Sequence, residues 1–235
     1  MVHLHYSKVV NLSHPIHPQI PHWPGDPQTR LSAIAHWDRE GYFLRELSIG
    51  EHSATHVNAP LSFDPNGRAI ADYPPEHWIR PAICLDVRDR CGTNRDYAIQ
   101  ISDLERWEGQ HGPIPPGCIA IAYTGWQEKW SDPADFLGNG EDPHTLHFPG
   151  FAEATAEFLI TQRQVGGVAI DTHGVDPGMS ETFGVNRQVL AHDGIVLECL
   201  TQLNQLLPRD FTVIIGALPL VGGSGAPAQV LALLP

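Results

Sequence analysis

Glu51 to Phe63 reads EHSATHVNAPLSF, and the chain's interpretation turns on whether this stretch is strand or helix. His52 and His56 stand four apart, a spacing that one face of a helix also provides in H-E-x-x-H metal sites. Thr55, Val57 and Pro60 disfavour a helix, and Ser53 rather than glutamate follows His52. In an extended chain, residues two apart share a face. His52, Ala54, His56, Asn58, Pro60 and Ser62 then line one side, with room beside the small Ala54. Two imidazoles and an amide presented this way suit a metal ion or a substrate carbonyl. Taken alone, two nearby histidines are more often hydrogen-bonded structural residues than ligands.

Outward from this segment the chain reads as short buried strands. Tyr42 to Ile49 alternates as a strand, and AICLDV (82–87) and CIAIAY (118–123) are apolar runs of the buried-strand type. GGVAIDT (166–172), IVLECL (195–200) and FTVIIGA (211–217) read likewise, and VGGSGAPAQVLALL (221–234) is a glycine loop entering a last strand. Two helices are expected. One spans Ser102 to Glu108, with Ser102 as N-cap and Glu105 completing a capping box. The other spans Phe151 to Gln164, with Phe151, Ala154, Phe158 and Leu159 near one face. The first thirty residues carry prolines too often for a helix or central strand, and form an extended arm ending in the turn Pro24 to Pro27. The class is α/β or α+β with a mixed, largely β core, as one domain over 1–235 with 1–30 as the arm.

Composition narrows the partners. A net charge of −13 argues against nucleic acid and anionic membranes, which reward basic surfaces. Met1 to Asn11 lacks the apolar run of a signal peptide, and no stretch has transmembrane length. Four cysteines without a C-x-x-C pair read as buried thiols of a reducing cytoplasm. Histidine, at 14 residues, equals lysine and arginine combined, which points to metal or proton chemistry.

The decisive segment resembles the H-x-G-T-H-x-D-x-P-x-H-F signature of the cyclase or kynurenine formamidase-like hydrolases. The likeness continues in family order. His14-Pro15 through Pro24-Gly25-Asp26-Pro27 is similar to the opening arm, Thr124-Gly125-Trp126 to T-G-W, and His147-Phe148-Pro149-Gly150 to H-F-P-G. Gly167 to Asp176 resembles G-I-D-T-x-S-x-D, Asn186-Arg187 through Glu198 the H-R to E spacing, and Gly222 to Pro227 the closing G-x-x-G-x-P. The resemblance implies a swivelling β/β/α fold, a homo-oligomer of at least two chains, and a divalent metal, zinc or manganese. It also implies hydrolysis of a small-molecule amide, cyclic imide or lactone. His52 and His56 fall on the two signature ligands and Glu198 on the late carboxylate ligand.

Three positions depart from the pattern. Asn58 replaces the bridging aspartate, Ser62 the third histidine that transfers protons, and Asn186 a later histidine ligand. One metal on His52, His56 and Glu198, with Asn58 or water, is the expectation, and a second metal is not. His173, in a position not usually histidine, is a candidate base or ligand, or a structurally hydrogen-bonded loop residue. Trp23 and Trp126 are candidate pocket walls for an aromatic substrate, beside Asn186, although core packing suits Trp126 equally. Asp26 and Asp171 read as turn formers and His192 as an exposed turn residue. Two other functions compete with hydrolysis: a non-hydrolytic cyclase or dehydratase, and a binding protein that has lost the chemistry.

Overall fold

The computed structural model describes residues 5–139 and 145–235; the first four residues of the expected arm lie outside them. Twelve strands are present among the described residues: β1 (Lys8–Asn11), β2 (Arg30–Ala35), β3 (Leu44–Ser48), β4 (His56–Asn58), β5 (Ile79–Asp86), β6 (Ala98–Ile99), β7 (Ile119–Tyr123), β8 (Gly150–Phe151), β9 (Gly167–Ile170), β10 (Ile195–Glu198), β11 (Phe211–Ala217) and β12 (Gly225–Leu234). Helices α1 (Trp37–Glu40), α2 (Arg88–Cys91), α3 (Ile101–His111), α4 (Pro133–Leu137), α5 (Glu153–Thr161) and α6 (Gly184–Ala191) lie between them. The main sheet runs β1-β12-β11-β5-β7-β9-β10-β4, and β4 pairs back onto β12. Seven strands therefore close a barrel, with β1 as an extra strand on β12. Parallel β5, β7, β9 and β10 sit beside antiparallel β11, β12 and β4, the mixed, largely β core that the strand runs predict.

Alternation along the strands divides the apolar side chains between two cores. Ile119, Ile121, Ala169, Leu197 and Val57 join one cluster with Val213 and Ile215. Ala120, Ala122, Val168, Ile170 and Val196 point the other way, against Leu104 and Trp107 of α3, Leu159 of α5 and Val185 and Val189 of α6. The register Val196↔Asn58, Leu197↔Val57, Glu198↔His56 then decides the site. With Val57 and Leu197 in the first core, His56, Asn58 and Glu198 share the opposite face. A one-residue slip would bury the polar trio in that core and expose both apolar residues, forfeiting about 1.5–3 kcal/mol for each.

Several elements differ from expectation. The 51–62 segment is extended only over β4; Ala54 has φ +54° and Pro60–Ser62 is a 3-10 turn. That left-handed Ala54, where the family signature has glycine, turns the chain so that the His52 and His56 rings meet at 5.5 Å and 88°. The arm contributes β1, an edge strand, as its proline-free start allows. Of the arm residues expected to seek cover on a neighbouring subunit, Ile20 is buried within the chain itself whereas Ile16 stays exposed. Helix α3 begins before Ser102: Asp103, not Glu105, reaches back to accept from the Gln100 N–H at 2.9 Å. Phe151 belongs to β8, and α5 buries Thr155, Ala156 and Leu159 rather than Ala154.

Candidate functional site

Strands β4 and β10 lay a row of buried polar groups beside a cavity of about 210 Å³. Glu198 is its anchor. Oε2 lies 3.0 Å from His56 Nε2 and accepts from Asn58 Nδ2 at 3.0 Å. Oε1 accepts from Val175 N at 2.9 Å and Asn186 Nδ2 at 3.1 Å. Burial alone would raise this carboxyl, but the His56 hydrogen bond and charge, with Val175 and Asn186, outweigh it and hold its pKa down to about 2. His56 Nδ1 faces the Ala54 carbonyl at 2.8 Å. Both ring nitrogens thus face oxygen atoms, Ala54 O and Glu198 Oε2.

These contacts fix the neighbouring amides and rings. Asn58 must aim Nδ2 at the acceptor-only Glu198, with Asn186 Oδ1 as a second acceptor at 2.9 Å. Its Oδ1 therefore faces His52 Nδ1 at 2.8 Å, and that nitrogen carries the proton. Burial and the neighbouring His56 lower the His52 pKa, so the ring is neutral with the Nε2 lone pair free. Nε2 lies 2.9 Å from Ser224 Oγ. Gly225, next in the chain, has no room for a side chain: a Cβ there would lie 2.6 Å from His52 Cε1. On the far side, Asp176 accepts from Val185 N and Asn186 N at 2.7 and 3.1 Å and so caps α6. Burial raises the Asp176 pKa.

Eight of the nine sequence candidates line the cavity: Trp23, His52, His56, Asn58, Ser62, His173, Asn186 and Glu198. Ser62 is committed elsewhere, donating to the Ser224 carbonyl at 2.6 Å. His173 is buried with Nε2 unpartnered among the described groups, its pKa lowered to about 4 by burial and then by His56; it has no structural hydrogen bond at that nitrogen. Trp126 lies outside the cavity, packed with Phe136, Leu137 and Phe148 and donating to the Phe136 carbonyl at 2.7 Å. Asp171 is fully buried and accepts from Thr124 N, Thr124 Oγ1 and Gln127 N, a bracket between loops rather than a surface turn. His192 is exposed at the end of α6. Sequence reasoning missed Phe63 and Phe183, which wall the cavity with Trp23, and Ser224. Ser224 stands 172 residues from His52, and only the glycines around it hint at a close approach.

The donor set decides whether the implied metal fits. His56 is engaged by the Ala54 carbonyl and Glu198, His52 Nδ1 donates to Asn58, and the Asn58 and Asn186 amide hydrogens fill the space before Glu198. Among the described residues, no three His, Cys, Asp or Glu side chains are grouped to hold a metal. The site brings His56 and Glu198 together, but it does not gather His52, His56 and Glu198 around one point. These residues do not fit the group, for a chemical reason: amide N–H donors stand where a cation needs anionic oxygens.

Comparison with known proteins agrees with the architecture. A family model described as "Putative cyclase" matches residues 10–177. The isatin hydrolase of Roseibium aggregatum is 27% identical over 220 residues, covering 89% of this chain and 82% of that protein. A kynurenine formamidase of Sphingopyxis alaskensis is 26% identical over 234 residues, covering 96% and 97%. The solved isatin hydrolase A of Ralstonia solanacearum superposes with a TM-score of 0.89 at 29% identity, covering 97% of this chain and 92% of that one. Two further neighbours, described as metal-dependent hydrolases, share 22% and 23% identity, a likeness of fold. The chain belongs to the cyclase family.

Proposed function

We propose that this cyclase-family chain hydrolyses a C–N bond in a small aromatic amide or cyclic imide. The observation that carries the reading is the cavity's division of labour. Phe183 packs beside Trp23 and Phe63, and these three aromatic side chains line the cavity together with His52, Asn58, Glu198 and Ser224. A flat ring can lie on the wall while its carbonyl reaches the polar row. About 210 Å³ is smaller than the roughly 300–1,000 Å³ of drug-sized sites, which favours one fused ring system over a long chain. Relatives named isatin hydrolase and kynurenine formamidase support the same bond type. The test is initial rates of the purified chain on isatin and N-formylkynurenine, with chelator or with added zinc or manganese. Turnover of at least one, undiminished by chelator, is expected. A folded protein that binds isatin but turns over neither compound belongs with the binding proteins instead.

The same reading makes the chain one unit in a reducing cytoplasm, supported by four buried free cysteines, and a homo-oligomer. Exposed apolar side chains lie on the β2–β3 hairpin and its connecting α1, where Ile34, Trp37, Tyr42, Phe43, Leu44 and Leu47 are all exposed, and on the arm at Tyr6, Val9 and Ile16. Exposed apolar side chains concentrated on one hairpin support an association surface. Light scattering at micromolar concentration should give at least a dimer, and Trp37→Glu with Phe43→Glu should give monomer. A monomeric unsubstituted protein would refute the oligomer.

A further inference from the structure

The turn of the arm that brings Trp23 to the cavity is stiff along its length and closed at a neck. Pro21, Pro24 and Pro27 fix φ at three positions. Asp26 N donates to the Trp23 carbonyl at 3.0 Å, and Gly25 has φ +94°, the left-handed third position of a type II turn. Buried Ile20 holds one end of the segment and β2, from Arg30, the other. Between them His22 closes the neck: Thr29 N donates to its Nε2 at 3.0 Å, with Thr29 Oγ1 at 3.1 Å. We infer that His22 is a positioning residue, whose neutral ring pins this turn so that Trp23 lines the cavity.

The pin works in one protonation state. A backbone N–H donates only to a ring nitrogen that keeps its lone pair, so Nε2 is bare and the proton of neutral His22 sits on Nδ1. Protonation would set a second N–H against that of Thr29. The Thr29 hydroxyl can accept from the new N–H, which leaves the backbone amide as the group without a partner. Thr29 is 2% exposed, so little water replaces the lost acceptor. Two titratable side chains act on this ring. Asp26, on the same turn, favours its charged form, and His173, from the loop after β9, is coupled to it by mutual repulsion of their charged forms. Burial outweighs Asp26 and lowers the His22 pKa from 6.5. Opening the neck relieves that burial, so the open form gains as pH falls below 6.5.

What the turn holds gives the pin its consequence. The Trp23 ring meets His173 at 5.5 Å, Phe183 at 6.0 Å and Phe148 at 6.2 Å between centroids. Trp23 and Asp26 are the arm residues that line the cavity. Pro27 lies against Gly50, where an added Cβ would come within 3.2 Å of Pro27 Cγ, so the turn rests on the chain just before His52. An open neck lets this part of the lining withdraw, and an aromatic ligand loses a ring to pack on. The consequence rests on the reading above for its ligand, a flat aromatic amide or imide; the pin does not.

Amide hydrogen exchange of the full chain without ligand tests the pin, and isatin affinity by calorimetry tests its consequence. The Thr29 amide should be protected above pH 7 and lose up to about tenfold of that protection one pH unit below 6.5, the gain that a ring of ordinary pKa gives the open form there. His22→Gln, whose Oε1 reaches the Nε2 position and accepts at every pH, should keep the protection throughout, and His22→Leu should lack it throughout. Isatin affinity should fall in parallel for the parent, stay flat for His22→Gln, and be weak at every pH for His22→Leu. Unchanged Thr29 protection in the acidified parent overturns the inference, as does an equal loss in His22→Gln or full protection in His22→Leu. Isatin that binds all three forms alike at every pH overturns it too. Isatin that binds none of them, beside the expected exchange pattern, sinks the substrate reading and leaves the pin standing.

Discussion

Replacing Asn58 by aspartate is expected to cost the metal-free protein about 3–5 kcal/mol and to make its stability respond to divalent cations. Asn58 is 4% exposed, and its Nδ2 hydrogens meet Glu198 Oε2 at 3.0 Å and Asn186 Oδ1 at 2.9 Å. An aspartate of the same shape puts an oxygen where that nitrogen donates. Two buried carboxylates then face one another, and one must take up a proton or both must separate. The His52 contact survives, because either side chain accepts from Nδ1. A divalent ion between the carboxylates supplies the positive charge that the amide hydrogens supplied. A cation at a hundred times its Kd would return about 2.7 kcal/mol. Urea unfolding with chelator, zinc or manganese measures both effects. The unsubstituted protein should respond weakly to cations and Asn58→Asp strongly. If Asn58→Asp is as stable as the parent in chelator, the amide donor is not holding Glu198, and the account of the polar row fails. Adding Ser62→His and Asn186→His extends the test, since Asn186 also donates to Glu198 and Asp176.

How the sequence disclosed this site follows from which forces are local. Continuous apolar runs disclose β5, β7, β9, β10 and β11, because a strand buried on both faces must be apolar whatever its neighbours. The position of α3 was missed by two residues, since the competing caps Asp103 and Glu105 are both acidic and only the turn geometry selects between them. His56, Asn58 and Glu198 were found through family likeness, and their shared face follows from a register no local pattern encodes. Ala54 shows the limit most plainly: extended alternation grouped His52 with His56 for the wrong reason. A left-handed turn, not a continuous strand, brings the two rings together. Ser224 carried little signal beyond the glycines around it, because its contact with His52 spans 172 residues. Trp126 illustrates the converse, a residue in a recognisable T-G-W element whose ring packs away from the cavity.

Lowering the pH from 7 to 5 is expected to weaken the fold well before its carboxylates are fully titrated. His14 stacks on Trp130 at 3.9 Å with Nε2 buried and unpartnered among the described groups. Burial lowers its pKa from 6.5 to about 4, despite the opposing Leu200 carbonyl. His173 is lowered to about 4 as well. Between pH 6.5 and 4 the unfolded chain protonates each ring and the folded protein does not, so stability rises with pH across that window. At 1.36 kcal/mol per unit, the full window is worth on the order of 3 kcal/mol for each ring. Two effects act in the opposite direction: burial raises Asp171 and Asp176, which favour the folded state on acidification, and protonation relieves the −13 net charge. Ordinary carboxylates titrate near 4, however, so the interval from 6.5 to 5 belongs chiefly to the histidines. Glu198, held down to about 2, contributes stability that is intact above about pH 4.5 and lost only below it, so it adds a second, lower step. Urea unfolding at pH 7, 6 and 5 should show the first step, and His14→Gln and His173→Gln should each flatten it independently of their effect on stability at pH 7. If His14→Gln and His173→Gln leave the slope of stability with pH the same as in the parent, the step does not belong to these rings, and a dry, neutral His173 at the cavity wall could not then be maintained.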